Sequence, residues 1–280
     1  MSLDQLPPLR ERLQAHGLLA DKSFGQHFLL DLNITRKIVR LAELPDEALV
    51  IEVGPGPGGL TRALLEAGAR VVAVEKDARF IPLLSELAEA APGQLTLVQA
   101  DALAVDEAAL TGGAPFSVVA NLPYNVGTPL LIKWLTAPVL PAVMALMFQK
   151  EVADRIAAPP GSDAYGRLSV IAQAVCHAAL VMDLPARAFT PPPKVASAVV
   201  RLTPARDRPP AEALKALEQV TAAAFGQRRK MLRSSLKLLG GEALCAAADI
   251  APDRRAETLS VAEFRALAEV WRKSGAALRS

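Results

Sequence analysis

Between residues 48 and 158 the chain repeats one alternation, and this limits its fold more than anything else in the sequence. Apolar runs take turns with stretches of helical period. ALVIEV (48–53), RVVAVE (70–75), LTLVQ (95–99), FSVVA (116–120) and VMALMFQ (143–149) read as strands. LTRALLEAG (60–68), DARFIPLLSELAEA (77–90), TPLLIKWLT (128–136) and KEVADRIAA (150–158) read as helices, the second disturbed at Pro82. Strands that are apolar throughout need cover on both faces, which a parallel sheet between helices supplies.

Around this block the pattern changes. The first ~22 residues predict a helical arm. A helix comes next in which Ile34, Ile38, Leu41 and Leu44 share a face, stopping near Pro45. CHAALVMDL (176–184) and ASAVVRLT (196–203) predict a late antiparallel hairpin. TPARDRPPAE (203–212) reads as a linker, and the C-terminal remainder of the chain reads helical. The expectation is an α/β, Rossmann-like and mostly parallel sheet domain over 1–204, with a small all-α domain over 205–280.

Composition excludes several classes. No apolar run reaches the ~20 residues that cross a bilayer, and the N-terminus lacks a secretory pattern, so the expected location is the cytoplasm. Cys176 and Cys245 and the three histidines show no ligand spacing, so neither a disulfide framework nor a metal site is expected. The net charge of +2 hides a split. Residues 1–204 hold 17 Lys/Arg against 20 Asp/Glu, and residues 205–280 hold 14 against 9. A basic tail suits a polyanion, and equally a solvated helical surface.

The first strand runs into Gly54-Pro55-Gly56-Pro57-Gly58-Gly59 ahead of a helix. Glycines there let backbone approach a nucleotide cofactor beside free helix N–H groups. Gly54, Gly56 and Gly59 fit the dinucleotide spacing; Gly54, Gly56 and Gly58 fit the looser methyltransferase spacing. Glu75, ending the second strand, can accept from both ribose hydroxyls in either class. Asp101 and Asn121 end the next strands. Ligands of open α/β sheets bind outside the carboxyl ends of strands, so these groups predict one crevice. Asp101 can accept from a cofactor's adenine amine.

Asn121-Leu122-Pro123-Tyr124 is the most specific signal. The N6 lone pair of adenine is delocalised into the ring, which makes N6 a poor nucleophile. The Asn121 side-chain oxygen and the Leu122 carbonyl can accept its two hydrogens and localise the lone pair on nitrogen. Pro123 fixes the backbone, and Tyr124 can stack on the target base. Positioning and aimed acceptors would then supply the rate without a strong base. Phe189, ahead of a triple proline, offers a second stacking face or a core side chain, with Lys194 suited to phosphate.

FGQHFL (24–29), VGPGPGGLT (53–61), ADAL (100–103), NLPYN (121–125), MFQKEVADRI (147–156), FTPPPKVASAVVRL (189–202) and FGQRRKMLRSSL (225–236) occur in this order. Together they resemble the ribosomal RNA adenine N6,N6-dimethyltransferases across nearly the whole chain. The resemblance is nearest to the bacterial enzymes acting on two adjacent adenosines in the 3′-terminal hairpin loop of small-subunit (16S) rRNA. It implies S-adenosylmethionine as cofactor, held by His27, Leu29, Gly54, Gly56, Glu75, Asp101 and Asn121. It also implies that Tyr124 and Phe189 sandwich the adenine. The family pattern usually has Asn at position 27, where an imidazole N–H can equally donate to the methionine carboxylate. Ser234 also replaces a common Asn. The expected partners are small-subunit rRNA and the immature 30S particle, met by a monomer.

Segment 226–238 holds five cations and no acid, which suits phosphate contacts. Arg228, Arg229, Lys230, Arg233 and Lys237 are the candidates. Arg229, Arg233 and Lys237 are spaced as one helical stripe, and Leu232, Leu236 and Leu239 as a packing stripe; Arg36, Lys37 and Arg40 extend the basic surface. The rival readings are a large-subunit (23S) rRNA adenine methyltransferase, a non-catalytic RNA-binding assembly factor and, more distantly, an NAD dehydrogenase.

Overall fold

The computed structural model describes residues 3–18 and 27–277. The elements keep the expected alternation. They are α1 (Leu9–Ala15), β1 (Phe28–Leu29), α2 (Leu32–Ala42), β2 (Leu49–Val53), α3 (Gly59–Glu66), β3 (Arg70–Glu75), α4 (Ile81–Ala90), β4 (Leu95–Gln99), α5 (Glu107–Thr111), β5 (Ser117–Asn121), α6 (Gly127–Thr136) and β6 (Met144–Gln149). Then come α7 (Lys150–Ala157), α8 (Arg167–Val175), β7 (Cys176–Leu184), β8 (Phe189–Thr190), β9 (Ser197–Pro204), α9 (Ala211–Gly226), α10 (Leu232–Ser235), α11 (Gly241–Ala247) and α12 (Val261–Ala277).

The main sheet has the strand order β4-β3-β2-β5-β6-β9-β7. β2 to β6 pair in parallel, and β9 runs antiparallel to β6. Val50, Ile51, Val118, Val119, Met144 and Leu146 are at or near zero exposure, as strands covered on both faces require. The two late strands are neighbours in the sheet, joined by a long connection. β9 lies between β6 and β7, and the chain linking β7 to β9 makes β8, which leaves the main sheet to pair with β1.

The boundaries shift for local reasons. Asp31 caps α2 by accepting the Asn33 N–H at 2.8 Å. That helix ends at Ala42, before Pro45, because Glu43 turns left-handed and its N–H returns to Arg40. Arg201 of β9 pairs with Glu43 at this helix end. Pro82 does not break α4. It occupies the first turn, where its missing N–H costs nothing, after a 3-10 turn at Ala78–Phe80 capped by Asp77. Among the described residues of the N-terminal arm α1 is the α-helix, and residues 19–26, which carry FGQ of the FGQHFL motif, lie outside the described residues.

The chain forms two compact units. One takes the residues up to Ala153 together with Ala179–Thr203; the other takes Asp154–Ala178 and Pro204–Ser280. The chain makes its last passage out of the first unit at the expected linker, but a single cut at 204 leaves out Asp154–Ala178, which groups with the C-terminal helices. The cause is α8, which the sequence pattern did not show. Its neighbour Tyr165 is fully buried and meets Phe225 edge-on, and Phe225 stacks on Phe264 of α12.

The basic segment after α9 is not one helix. Leu232 and Arg233 give their N–H groups to Arg254 and Pro252 carbonyls, which replaces helical partners. The chain makes a single turn, α10, and then a 3-10 turn at Lys237–Leu239. Arg229, Arg233 and Lys237 are exposed but do not form a continuous helical stripe. Leu232 and Leu236 are fully buried, and Leu239 is only partly so.

Candidate active site

The carboxyl ends of β2, β3, β4 and β5 open onto one cavity of about 280 Å³ in the first unit. Gly54, Gly56, Glu75, Asp101 and all of Asn121-Leu122-Pro123-Tyr124 line it, together with His27. Residues from five separate stretches thus converge as the strand-end rule expects.

The glycine loop divides its work. Gly54 and Gly56 face the cavity. Gly58 and Gly59 serve packing instead. A Cβ on Gly58, at φ +86°, would lie 2.3 Å from Leu87 Cδ1, and one on Gly59 would lie 2.6 Å from the Leu29 carbonyl oxygen. Both spacings read from the sequence therefore contain glycines that the ligand cavity does not use.

Glu75 is 6% exposed. It accepts the Gly56 N–H at 2.9 Å through Oε2 and the Asp77 N–H at 2.8 Å through Oε1. Burial raises its pKa, and the two backbone N–H groups oppose the rise. Each oxygen keeps a lone pair for a ribose hydroxyl. Asp101 is more open. Lys76 Nζ donates to it at 2.9 Å and the Leu103 N–H at 3.0 Å, and the Lys76 contact holds its carboxyl below the usual range.

At Asn121 the amide nitrogen donates to the His27 carbonyl at 3.0 Å. What remains of the amide is one N–H and the oxygen, and the oxygen is an acceptor. Among the described residues nothing donates to the Leu122 carbonyl, whereas the Pro123 carbonyl takes the N–H groups of Val126 and Gly127. Two neighbouring acceptors are thus left over at the end of β5. The Tyr124 hydroxyl bonds Ser197 Oγ at 3.0 Å. Its ring centroid is 5.6 Å from that of His27, tilted by 32°. Burial pushes the phenol's pKa up, so it stays neutral at working pH.

Three expected residues are placed elsewhere. Phe189 is 3% exposed, pairs with Leu29 across β1–β8 and packs in the apolar core with Ile38 and Val199. It does not line the cavity, so of its two sequence readings the structure displays the core one. Leu29 is likewise in the core. Lys194 is exposed and outside the cavity. His27 is present, but its Nδ1 lies 2.8 Å from the Pro191 carbonyl. A carbonyl only accepts, so Nδ1 is the donor of this bond. The Nδ1 N–H is thus engaged by Pro191.

Arg228, Arg229, Lys230, Arg233 and Lys237 are all exposed in the second unit. Arg228 donates to the Asp163 carbonyl at 2.7 Å. Arg36 is engaged with Glu66 at 2.7 Å rather than extending a free basic surface. Both cysteines are buried, with thiol pKa values raised by burial, Cys176 to about 12. Among the described residues no cluster of three or more His, Cys, Asp or Glu could hold a metal, and no helix is long and apolar enough to cross a membrane. The sequence reading missed Lys76 and Ser197. Lys76 adjoins Glu75 and could have been found from that; Ser197 had no signal.

The model of the family described as ribosomal RNA adenine dimethylase matches residues 17–273. A ribosomal RNA small subunit methyltransferase A from Phenylobacterium zucineum is 71% identical, over 97% of this chain and 95% of that one. The protein of the same name from Caulobacter vibrioides is 70% identical, over 89% of this chain and 96% of that one. Among solved structures, a dimethyladenosine transferase from Plasmodium falciparum aligns with a TM-score of 0.74 at 25% identity, covering 89% of this chain and 98% of that one. The 23S rRNA methyltransferase ErmE aligns at 0.68 and 26% identity, covering 87% and 98%.

Proposed function

Because the chain belongs to the ribosomal RNA adenine dimethylase family, we propose that it methylates N6 of two adjacent adenosines in the 3′-terminal hairpin loop of small-subunit rRNA. The product is N6,N6-dimethyladenosine, and the substrate particle is the immature 30S subunit. The observation that carries the chemistry is the pair of leftover acceptors, the Asn121 side-chain oxygen and the Leu122 carbonyl, on a cavity shared with Glu75.

The residues present fit S-adenosylmethionine. A buried strand-end carboxylate, Glu75, suits a ribose, and Asp101 at the cavity mouth suits an adenine amine. When bound, the cofactor supplies an electrophilic methyl carbon on a sulfonium sulfur. The chain's part is to present the nucleophile. In the first transfer Asn121 and Leu122 would accept the two N6 hydrogens and localise the nitrogen lone pair, and in the second the one remaining hydrogen would go to one of them; as the methyl–sulfur bond gives way to the N6–methyl bond, the same oxygens would face the developing positive charge. Tyr124 offers a neutral aromatic face to the extruded base. The N6 proton passes to solvent after transfer, so no buried base is needed. The exposed cations Arg228, Arg229, Lys230, Arg233, Lys237 and Lys194 meet phosphates and set orientation rather than sequence choice. The enzyme acts as a cytoplasmic monomer.

The test is methyl transfer from labelled cofactor onto small subunits lacking the modification. Digestion should yield dimethyladenosine, and primer extension should stop at two adjacent positions near the 3′ end of 16S rRNA. Labelling confined to large-subunit RNA would reject the assignment, and binding without any transfer would leave an assembly factor.

A further inference from the structure

The segment around the triple proline reaches the catalytic tetrapeptide through a serine hydroxyl. Ser197 Oγ and Tyr124 Oη are 3.0 Å apart, joining residues 73 positions distant. Ser197 is fully buried and begins β9. Its backbone is held in the sheet, in register with Gln149 of β6, and the neighbouring Ala196 carbonyl takes the Lys150 N–H at 2.9 Å. The hydroxyl therefore sits on rigid backbone with one rotor of its own. Tyr124 comes after a strand end, in a turn closed by the Val126 and Gly127 N–H bonds to the Pro123 carbonyl, and is only partly buried. Among the described residues its hydroxyl has this one hydrogen-bond partner.

A tyrosine ring on a turn can swing about two torsions, and a stacking face that swings misaligns whatever lies on it. Fixing the far end of the ring removes that freedom. We propose that Ser197 is a positioning residue that holds the Tyr124 ring at the tilt in which a stacked adenine presents N6 to Asn121 and Leu122. The proposal rests on the reading of Tyr124 as the base-stacking residue. It makes the 189–197 segment act on the target base through Ser197, while Phe189 stays in the core.

The test compares Ser197→Ala, Tyr124→Phe and the double variant on unmodified small subunits. It also uses a substrate RNA carrying 2-aminopurine at a target adenosine, whose fluorescence reports stacking. Ser197→Ala should lower kcat about 10-fold, the scale on which small misplacements cost rate, and weaken the stacking quench. S-adenosylmethionine affinity should stay within about twofold, since Ser197 does not line the cavity. Tyr124→Phe should lose a similar amount and the double variant no more, because each removes the same contact. A purely structural serine would give losses that add in the double variant, which overturns the proposal, as does wild-type kcat in Ser197→Ala. Should Ser197→Ala not fold, Tyr124→Phe alone decides: wild-type kcat and quench overturn the proposal. Tyr124→Ala separates the two claims. If it turns over normally, the stacking reading itself fails; if it is impaired while Ser197→Ala is not, only the positioning role fails.

Discussion

A side-chain amide carries two N–H donors and an acceptor oxygen, and at Asn121 the fold engages one donor and leaves the oxygen open. The bond from Nδ2 to the His27 carbonyl orients the side chain before any substrate arrives. Asn121→Ala should therefore keep RNA binding and lower methyl transfer at least ~100-fold, as losing one aimed polar group does; single-turnover transfer beside a filter-binding assay checks this. Glu52 shows the opposite case, a residue inside the sheet rather than at the cavity. It is 1% exposed, and its Oε2 has no hydrogen-bond partner among the described residues. Burial pushes its pKa from 4.5 to about 8, with the Glu75 charge adding to the rise and Thr61 opposing it. Between those values the folded chain keeps a proton that the unfolded chain has lost, so this residue makes stability fall as pH rises from about 4.5 to 8. Glu52→Gln removes the titration. The Tm difference between variant and native protein should grow from pH 5 to 8 and level off above; a difference independent of pH counts against this state of Glu52.

At the scale of elements, the short β1–β8 pair has an importance beyond its two residues per strand. It carries Leu29 and Phe189 into the core and brings the Leu29 carbonyl against the start of α3 at Gly59. A methyl group there meets backbone rather than a flexible side chain. Gly59→Ala should cost about 1–3 kcal/mol by urea unfolding, the usual scale of overpacking, with only an indirect effect at the cavity. In the second unit, the broken helix after α9 buries Leu232 and leaves Leu238 in solvent. Leu232→Ala, at a fully buried site, should cost about 2–5 kcal/mol. Leu238→Ala, at 97% exposure, should stay within about 0.5 kcal/mol.

For the whole molecule, net charge differs between the two units. Moving Asp154–Ala178 to the second unit adds two cations and two acids, so its net charge of +5 is unchanged, against −3 for the first. Exposed cations that neutralise phosphates release counterions, each contributing roughly one unit to the salt slope. Replacing Arg229, Lys230 and Lys237 with Ala should flatten the plot of log affinity against log salt by about 2–3 units. It should weaken binding to different RNAs about equally. An unchanged slope would place the RNA on another surface.

The strands β2 to β6 and the helices α3, α4, α6 and α7 were legible in the sequence because apolar runs and a period of 3.6 are properties of neighbouring residues, whereas α8 was not. The glycine loop and the polar strand ends were legible for a related reason: a parallel sheet delivers the ends of its strands to one edge, so Gly54, Glu75, Asp101 and Asn121 were bound to meet. Local chemistry could not show that Asn121 keeps its oxygen open, that Phe189 goes to the core, that His27 Nδ1 donates to Pro191, or that Ser197 reaches Tyr124. Each of these depends on a bond or packing contact between segments 73 to 164 positions apart. Such contacts arise from how β1, β8 and β9 close around the sheet, and only the folded chain brings them together.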